Sequence, residues 1–223
     1  MKLPLLFCCI ALGLVGTLKS NAQNGFNFGV LAGANYASYE YVGDKEIYAE
    51  YDSGFGYYIG GFVSIPIGVK LTFAPELLFS YQTAKADGDI DDLLALMDLT
   101  IPFNLEGDVN LDATEKIIML PLMFRMKVTK FDFALGPQIS YSLSRKLNGN
   151  AEIFGFDLDL DDVDVADLYD EKDSDNFGLN MNIDAGYYIT EHLKIGARYS
   201  YGVLVRDEMR TSVVQLGLSY GIL

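Results

Sequence analysis

Tryptophan is absent from this 223-residue chain, histidine occurs once, and there are only two cysteines. Both cysteines, Cys8 and Cys9, fall inside an apolar N-terminal run, so the rest of the chain has no disulfide and no thiol chemistry. The lone His192 lies in an expected tight turn, where no Ser–His–acid set can gather, and this argues against an enzyme. Basic residues are scarce too: 16 Lys and Arg stand against 31 Asp and Glu, a formal charge of −15. A nucleic-acid backbone needs clustered cations, so it is excluded as a partner. Disorder is excluded from the other side, because a chain that is 50% hydrophobic is too apolar for a disordered acidic tail. What the chain does have is 15 Tyr, 14 Phe and 22 Gly, a composition suited to strands and turns.

Residues 1–22 read as a secretory signal. Met1-Lys2 is a short positive start, Leu3 to Val15 is nearly all apolar, and Ser20-Asn21-Ala22 is a small-x-small cleavage site before Gln23. The run is shorter than the roughly 20 residues of a spanning helix. Leu5-Leu6-Phe7 lacks the small residue expected before a lipid-modified cysteine. Residues 23–223 form the expected mature domain, more acidic still once Lys2 and Lys19 are removed.

Beyond the signal the sequence alternates with period two. Val214, Leu216, Leu218, Tyr220 and Ile222 share one face, with Gln215, Gly217, Ser219 and Gly221 on the other. The same holds from Leu193 to Val205, from Phe177 to Ile189 and from Phe131 to Ser144. Such alternation marks strands with one apolar and one polar face. Four earlier strands, less cleanly patterned, are expected at Phe26–Tyr39, Phe55–Ile67, Val69–Thr83 and Thr114–Val128. Connections near Pro66–Gly68, Thr129–Lys130 and Glu191–His192 are short. Those at 40–54, 84–113 and 147–176 are long, with a brief one at 206–210. Eight strands with short turns on one side and long loops on the other suit an outer-membrane barrel.

Alternation does not say which face is outside, and a soluble lipocalin-like barrel keeps its apolar face in. Two features separate the readings. The polar face is mostly Gly, Ser and Asn rather than the Lys and Glu of a soluble exterior, and small residues suit a narrow eight-stranded interior. All acids but Glu76, Asp132, Asp184 and Glu191 fall in the long-side segments, the second counted through residue 115, and none of those four is on an apolar strand face. A lipid-facing band requires that segregation. The expected fold class is therefore all-β: an eight-stranded antiparallel up-and-down transmembrane β-barrel with long external loops, in contact with outer-membrane lipid.

The stretches Pro75-Glu76-Leu77-Leu78-Phe79-Ser80, Ile117-Ile118-Met119-Leu120-Pro121-Leu122, Leu135-Gly136-Pro137 and Ile195-Gly196-Ala197-Arg198-Tyr199-Ser200-Tyr201-Gly202 resemble the PorT-like outer-membrane β-barrel family, one of the "porin family" barrels. The chain departs from such barrels in ending Ile222-Leu223 instead of in an aromatic residue. The resemblance implies an eight-stranded outer-membrane barrel; its members range from secretion-system components to barrels of no assigned role.

Three features are candidates for function. Glu76, Arg125, Asp184 and Arg198 fall in polar-face register, with Asp184 and Arg198 nearly opposite across the Glu191–His192 turn. They read as lumen charges that satisfy one another, since an unpaired buried charge is costly; Lys70, Lys127 and Lys194 are expected to ring the periplasmic mouth. The third long loop crowds ten acids between Asp157 and Asp175. Asp159, Asp161, Asp173 and Asp175 are calcium candidates on oxygen-ligand grounds, although Phe177 breaks the EF-hand spacing after Asp173-Ser174-Asp175-Asn176, and a solvated, self-repelling loop explains the same composition. No cofactor is expected otherwise. Third, alternation from Phe103 to Leu111 and from Ile153 to Leu160 continues past the spanning length, as an external ribbon beside an amphipathic helix at Ile90–Leu99. Apolar faces outside the membrane serve partners, so loops 84–113 and 147–176 are candidate protein-binding regions. A non-enzymatic interaction, assembly or secretion-accessory, or envelope-structural barrel with a plugged lumen is the expected function. A small-solute diffusion pore, which needs a wider barrel, and a soluble periplasmic lipocalin-like binding barrel are the alternatives.

Overall fold

A computed structural model describes residues 26–42, 50–89, 108–153, 156–164, 176–205 and 209–222. These residues form nine strands and no helix: β1 (Asn27–Tyr41), β2 (Glu50–Pro66), β3 (Leu71–Asp89), β4 (Asp108–Val128), β5 (Phe131–Ile153), β6 (Phe156–Asp164), β7 (Phe177–Tyr188), β8 (Leu193–Gly202) and β9 (Met209–Gly221). Eight of them pair antiparallel in the order β1-β2-β3-β4-β5-β7-β8-β9, and β9 returns to β1 from Gly29↔Gly221 to Tyr41↔Met209. The closure leaves no open edge around the barrel.

The apolar face is on the outside. Phe131, Phe133 and Leu135 of β5 are exposed while Asp132, Ala134 and Gly136 between them are buried. Ile183, Leu216 and Phe55 are 64%, 61% and 75% exposed. A soluble barrel would invert this order, and the lipocalin-like alternative is thereby removed. The earlier strands read less cleanly because the lumen is not wholly polar. β4 is apolar on both faces: Ile118, Leu120 and Leu122 point away from the axis, while Ile117 and Met119 join Leu31, Tyr58 and Leu78 in a buried lumen cluster. Close packing there depends on a glycine: a Cβ on Gly217 would meet the Tyr58 hydroxyl and the Ala32 carbonyl.

At one end the turns are tight. Val128↔Phe131 closes on Thr129-Lys130, with Thr129 at φ 58°, the first central position that a type II′ turn reserves for glycine. The turn before β8 is held by Thr190 Oγ1, which accepts from the Leu193 and His192 amides at 2.9 and 3.2 Å.

At the other end the barrel is lopsided. β7 and β8 have 12 and 10 residues, close to the roughly 9–11 that a tilted spanning strand needs. β4 and β5 have 21 and 23. Much of what reads in sequence as the loops 84–113 and 147–176 is therefore paired strand: β3 and β4 stay in register out to Asp89↔Asp108, and β4 and β5 out to Val109↔Ala151. The run from Ile153 to Leu160 is not one continuing strand, however. The chain reverses after Ile153, and β6 returns antiparallel along β5, from Ile153↔Phe156 to Lys146↔Asp164.

A β-bulge at Leu143 changes the pattern as the strand leaves the barrel. Lys116 pairs with Ser144 but Ile117 with Ser142, so the extra residue switches which positions of β5 face the axis. Above it the register aligns Ala84, Ala86 and Gly88 of β3 with Ala113, Leu111 and Val109 of β4, then with Leu147, Gly149 and Ala151 of β5, and on to Val163, Leu160 and Leu158 of β6. All of these positions are apolar, and Ala84 is buried on the lumen side. The opposite face carries Lys85 of β3, Asp112 of β4 and Lys146 of β5, with Lys85 Nζ 3.6 Å from Asp112 Oδ1.

Candidate functional site

The lumen charges expected from polar-face register, Glu76, Arg125, Asp184 and Arg198, lie in one network, and Asp132 and Lys194 complete it. β7 and β8 place Asp184 directly opposite Arg198, whose Nε and Nη2 donate to Asp184 Oδ2 at 3.3 and 3.2 Å. Arg198 also reaches across the barrel: its Nη2 donates to Glu76 Oε1 at 2.9 Å and its Nη1 lies 2.8 Å from Glu76 Oε2. β3 and β8 are four strands apart in a ring of eight, so this bridge spans the full diameter.

From β4, Arg125 donates through Nη2 to Glu76 Oε1 at 2.6 Å and through Nη1 to Asp132 Oδ2 at 2.7 Å. Lys194 Nζ closes the circuit, donating to Asp132 Oδ2 at 2.7 Å and to Asp184 Oδ1 at 3.4 Å. Glu76, Asp132, Asp184, Lys194 and Arg198 are all buried. Three carboxylates and three cations balance, so the layer carries no net charge. Charges taken out of water are tolerated when every one has a close counter-ion.

Lys194 thus belongs to the network and not to the mouth, where Lys70 and Lys127 are exposed; Lys127 Nζ sits 3.9 Å over the Tyr188 ring. The signal for the two missing members was present in the sequence. Asp132 is in the polar register of β5, two residues below Ala134, which pairs with Asp184. Lys194 is four residues before Arg198, two pleats along the same face.

Uncharged polar groups continue the filling on the long-loop side. Asn35 Nδ2 and Gln82 Nε2 both donate to Ser80 Oγ, at 2.8 and 3.3 Å, and Asn182 Nδ2 donates to Gln138 Oε1 at 3.0 Å. A cavity of about 20 Å³ remains at this level, beside Gln82, Gln138 and Asn180, room for a single water. A second cavity, of about 130 Å³, opens at the short-turn mouth beside Asn27, Lys127, Tyr188 and His192. The two share no lining residue, and the charge layer lies between them.

The remaining candidates are placed differently. Asp159 and Asp161 belong to β6, whereas Asp173 and Asp175, the stretch Ile90–Leu99 and the signal at 1–22 lie outside the described residues. Among the described residues no group of three or more His, Cys, Asp or Glu is placed to hold a metal ion. His192 stands at the turn before β8 with its ring centroid 6.1 Å from that of Tyr220.

The profile of the family described as outer membrane protein beta-barrel domain matches residues 21–204. No curated protein matches. Among solved structures, the chain is similar to Ail, the attachment invasion locus protein of Yersinia pestis, solved in complex with the heparin analogue sucrose octasulfate: TM-score 0.41, 9% identity, 88% of this chain and 99% of that one. Neisserial surface protein A is similar at TM-score 0.39 and 15% identity, over 88% of this chain and 98% of that one. OprG from Pseudomonas aeruginosa is similar at TM-score 0.39 and 12% identity, over 89% and 97%.

Proposed function

We infer that this chain, which belongs to the outer membrane protein beta-barrel family, is a non-conducting, non-enzymatic anchor that holds an external sheet above the outer membrane for a partner to engage. The observation that carries the closed lumen is the six-charge layer, in which Arg198 bridges to Glu76 from the opposite wall. An ion crossing this level has to break several short charged hydrogen bonds at once, and each broken pair leaves a buried charge uncompensated. Among the described residues the lumen acids are each paired with a cation, which argues against a general acid or base there.

The finer reading is a barrel of the PorT-like type, delivered by cleavage of a signal before Gln23 and facing the exterior with its acid-rich loops. The motifs around Pro75, Ile117, Leu135 and Ile195 support it, and so does the small-x-small site. In this orientation the tight turns are periplasmic and the β3–β6 extension is external. Calcium in the acid-rich loop is no part of this reading: its ligand pattern is incomplete, and a diffuse counter-ion atmosphere suffices for such a charge density.

Purified barrel in planar bilayers tests the closed lumen. Steady, featureless baseline current is expected. Reproducible stepwise openings from the monomer would overturn it and restore the diffusion pore.

A further inference from the structure

We propose that the cavity at the short-turn mouth binds a phosphoryl dianion, as free phosphate or as the phosphomonoester end of a larger molecule. The site lies wholly on one side of the charge layer, so the inference goes beyond the closed-lumen reading and asks no ion to cross that layer.

The first ground is how the neutral layer is turned. Of its six members only two cations, Arg125 and Lys194, line the cavity; Glu76, Asp132 and Asp184 do not. A layer of balanced charge thus shows its positive side to this mouth, and a cleft lined by one sign of charge concentrates the opposite ion. Lys194 owes its place there to Gly186 on β7, where a Cβ would lie 2.8 Å from Lys194 Cδ. An ammonium has three donors. Lys194 Nζ uses two of them, on Asp132 and Asp184, which leaves one for a ligand.

Lys127 adds a cation that no acid neutralises among the described residues. It lies two residues past Arg125, on the same face of β4. Register sets it opposite Asp132, but Asp132 Oδ2 already accepts from Arg125 and Lys194. The Lys127 ammonium rests instead 3.9 Å over the Tyr188 ring. Tyr188 lines the cavity too, so this cation–π contact holds the charge at the cavity wall. The one acid in the lining is Glu191, exposed in the turn before β8.

Size and the neutral groups narrow the ligand. A volume of about 130 Å³ is roughly four times the 30 Å³ that one water occupies in the liquid, room for a phosphate and too little for a folded partner. Ser64 on β2 and Ser219 on β9 offer hydroxyls from separate walls, which suits an anion whose oxygens point in several directions. Charge-assisted bonds from Lys and Arg to phosphate are the strong ones, and every cation at the wall acts twice on a dianion and once on a carboxylate.

The experiment uses the purified barrel in octyl glucoside micelles, which carry no phosphate, and titrates inorganic phosphate by calorimetry at constant ionic strength. Saturable one-to-one binding is expected, with acetate at least tenfold weaker. Lys127→Met should weaken phosphate binding at least tenfold. Lys70→Met removes the same charge from the same mouth, but Lys70 does not line the cavity, so binding should be unchanged. Glu191→Gln should tighten binding severalfold, a gain that a damaged barrel would not show. Vesicles of phosphatidylcholine, alone or mixed with phosphatidic acid, separate the sources. Phosphate binding kept in both assigns the site to a soluble phosphate; binding abolished by phosphatidic acid alone assigns it to a lipid headgroup. The proposal is overturned by an absence of saturable phosphate binding, or by equal weakening in Lys70→Met and Lys127→Met, which would mean diffuse attraction. Acetate binding as tight as that of phosphate, or Glu191→Gln without effect, would overturn it as well.

Discussion

Replacing Arg198 by methionine keeps most of the side-chain volume and removes the guanidinium that ties β8 to Glu76 on the opposite wall of the lumen. The neutral layer is left with three carboxylates and two cations. Removing one partner from a buried ion network costs about 3–5 kcal/mol. The structure argues for the lower end of that range, because neither acid loses every partner. Glu76 keeps Arg125 at 2.6 Å, and Asp184 keeps Lys194 at 3.4 Å and Arg125 at 3.8 Å. A loss of about 3 kcal/mol is expected, equivalent to more than a hundredfold in the folding equilibrium.

The informative comparison is a set of double mutants. Adding Glu76→Gln to Arg198→Met restores two acids against two cations, so the pair should lose much less than the sum of the singles, with a coupling of about 2–3 kcal/mol. Asp184→Asn should couple to Arg198→Met more weakly, since its contacts with Arg198 are longer, at 3.2 and 3.3 Å. Asp132→Asn restores the same net charge but makes no ion pair with Arg198, and should couple least. Urea unfolding in phospholipid vesicles, followed by far-ultraviolet circular dichroism because the chain lacks tryptophan, gives all of these values. Additive losses in the Glu76 and Arg198 pair would refute the network. Equal coupling for all three acids would mean that net charge alone matters and that the geometry does not.

Two further substitutions test the fold that carries the network. Thr129→Gly should stabilise the barrel by about 0.5–1 kcal/mol, since a β-branched residue at φ 58° is replaced by the one residue that adopts it freely; an unchanged or lower urea midpoint would contradict this. Ile183→Arg, in the middle of β7 on the outer face, should cost about 2–4 kcal/mol if that face meets the bilayer midplane, and a near-neutral result in vesicles would place water and not lipid against it.

The strands legible in sequence are those whose two faces differ in polarity. β5, β7, β8 and β9 alternate cleanly because most of their lumen positions are Gly, Ser, Asn, Gln or a charge, with Ala134 and Val213 among the exceptions. β4 does not, since Ile117 and Met119 fill the lumen while Ile118 and Leu120 face outward; a run apolar on both faces has no visible period. The candidate site was legible in part for a related reason. Register alone brings Asp184 to Arg198, which are neighbours across one hairpin. It says nothing of the bridge from Arg198 to Glu76, which depends on where the barrel closes and how wide it is. Lys194 illustrates the same gap: its place along β8 suggested the rim, but a long flexible stem carries its ammonium inward to Asp132.

The bulge at Leu143 links the two halves of the molecule. Within the bilayer a strand must put apolar residues outward, because lipid surrounds the barrel. Above it the surroundings are water, and an outward apolar face would be an aggregation liability. β5 crosses both environments in one continuous strand of 23 residues, so a strict period of two would be wrong for one half of it. One inserted residue reverses the facing of everything beyond it and turns the polar positions outward where water begins. A strand that simply frayed into a loop would need no such correction. The bulge therefore argues that β5 is built to continue as sheet beyond the barrel, and that the paired extension of β4 and β5 is not a by-product of a long loop.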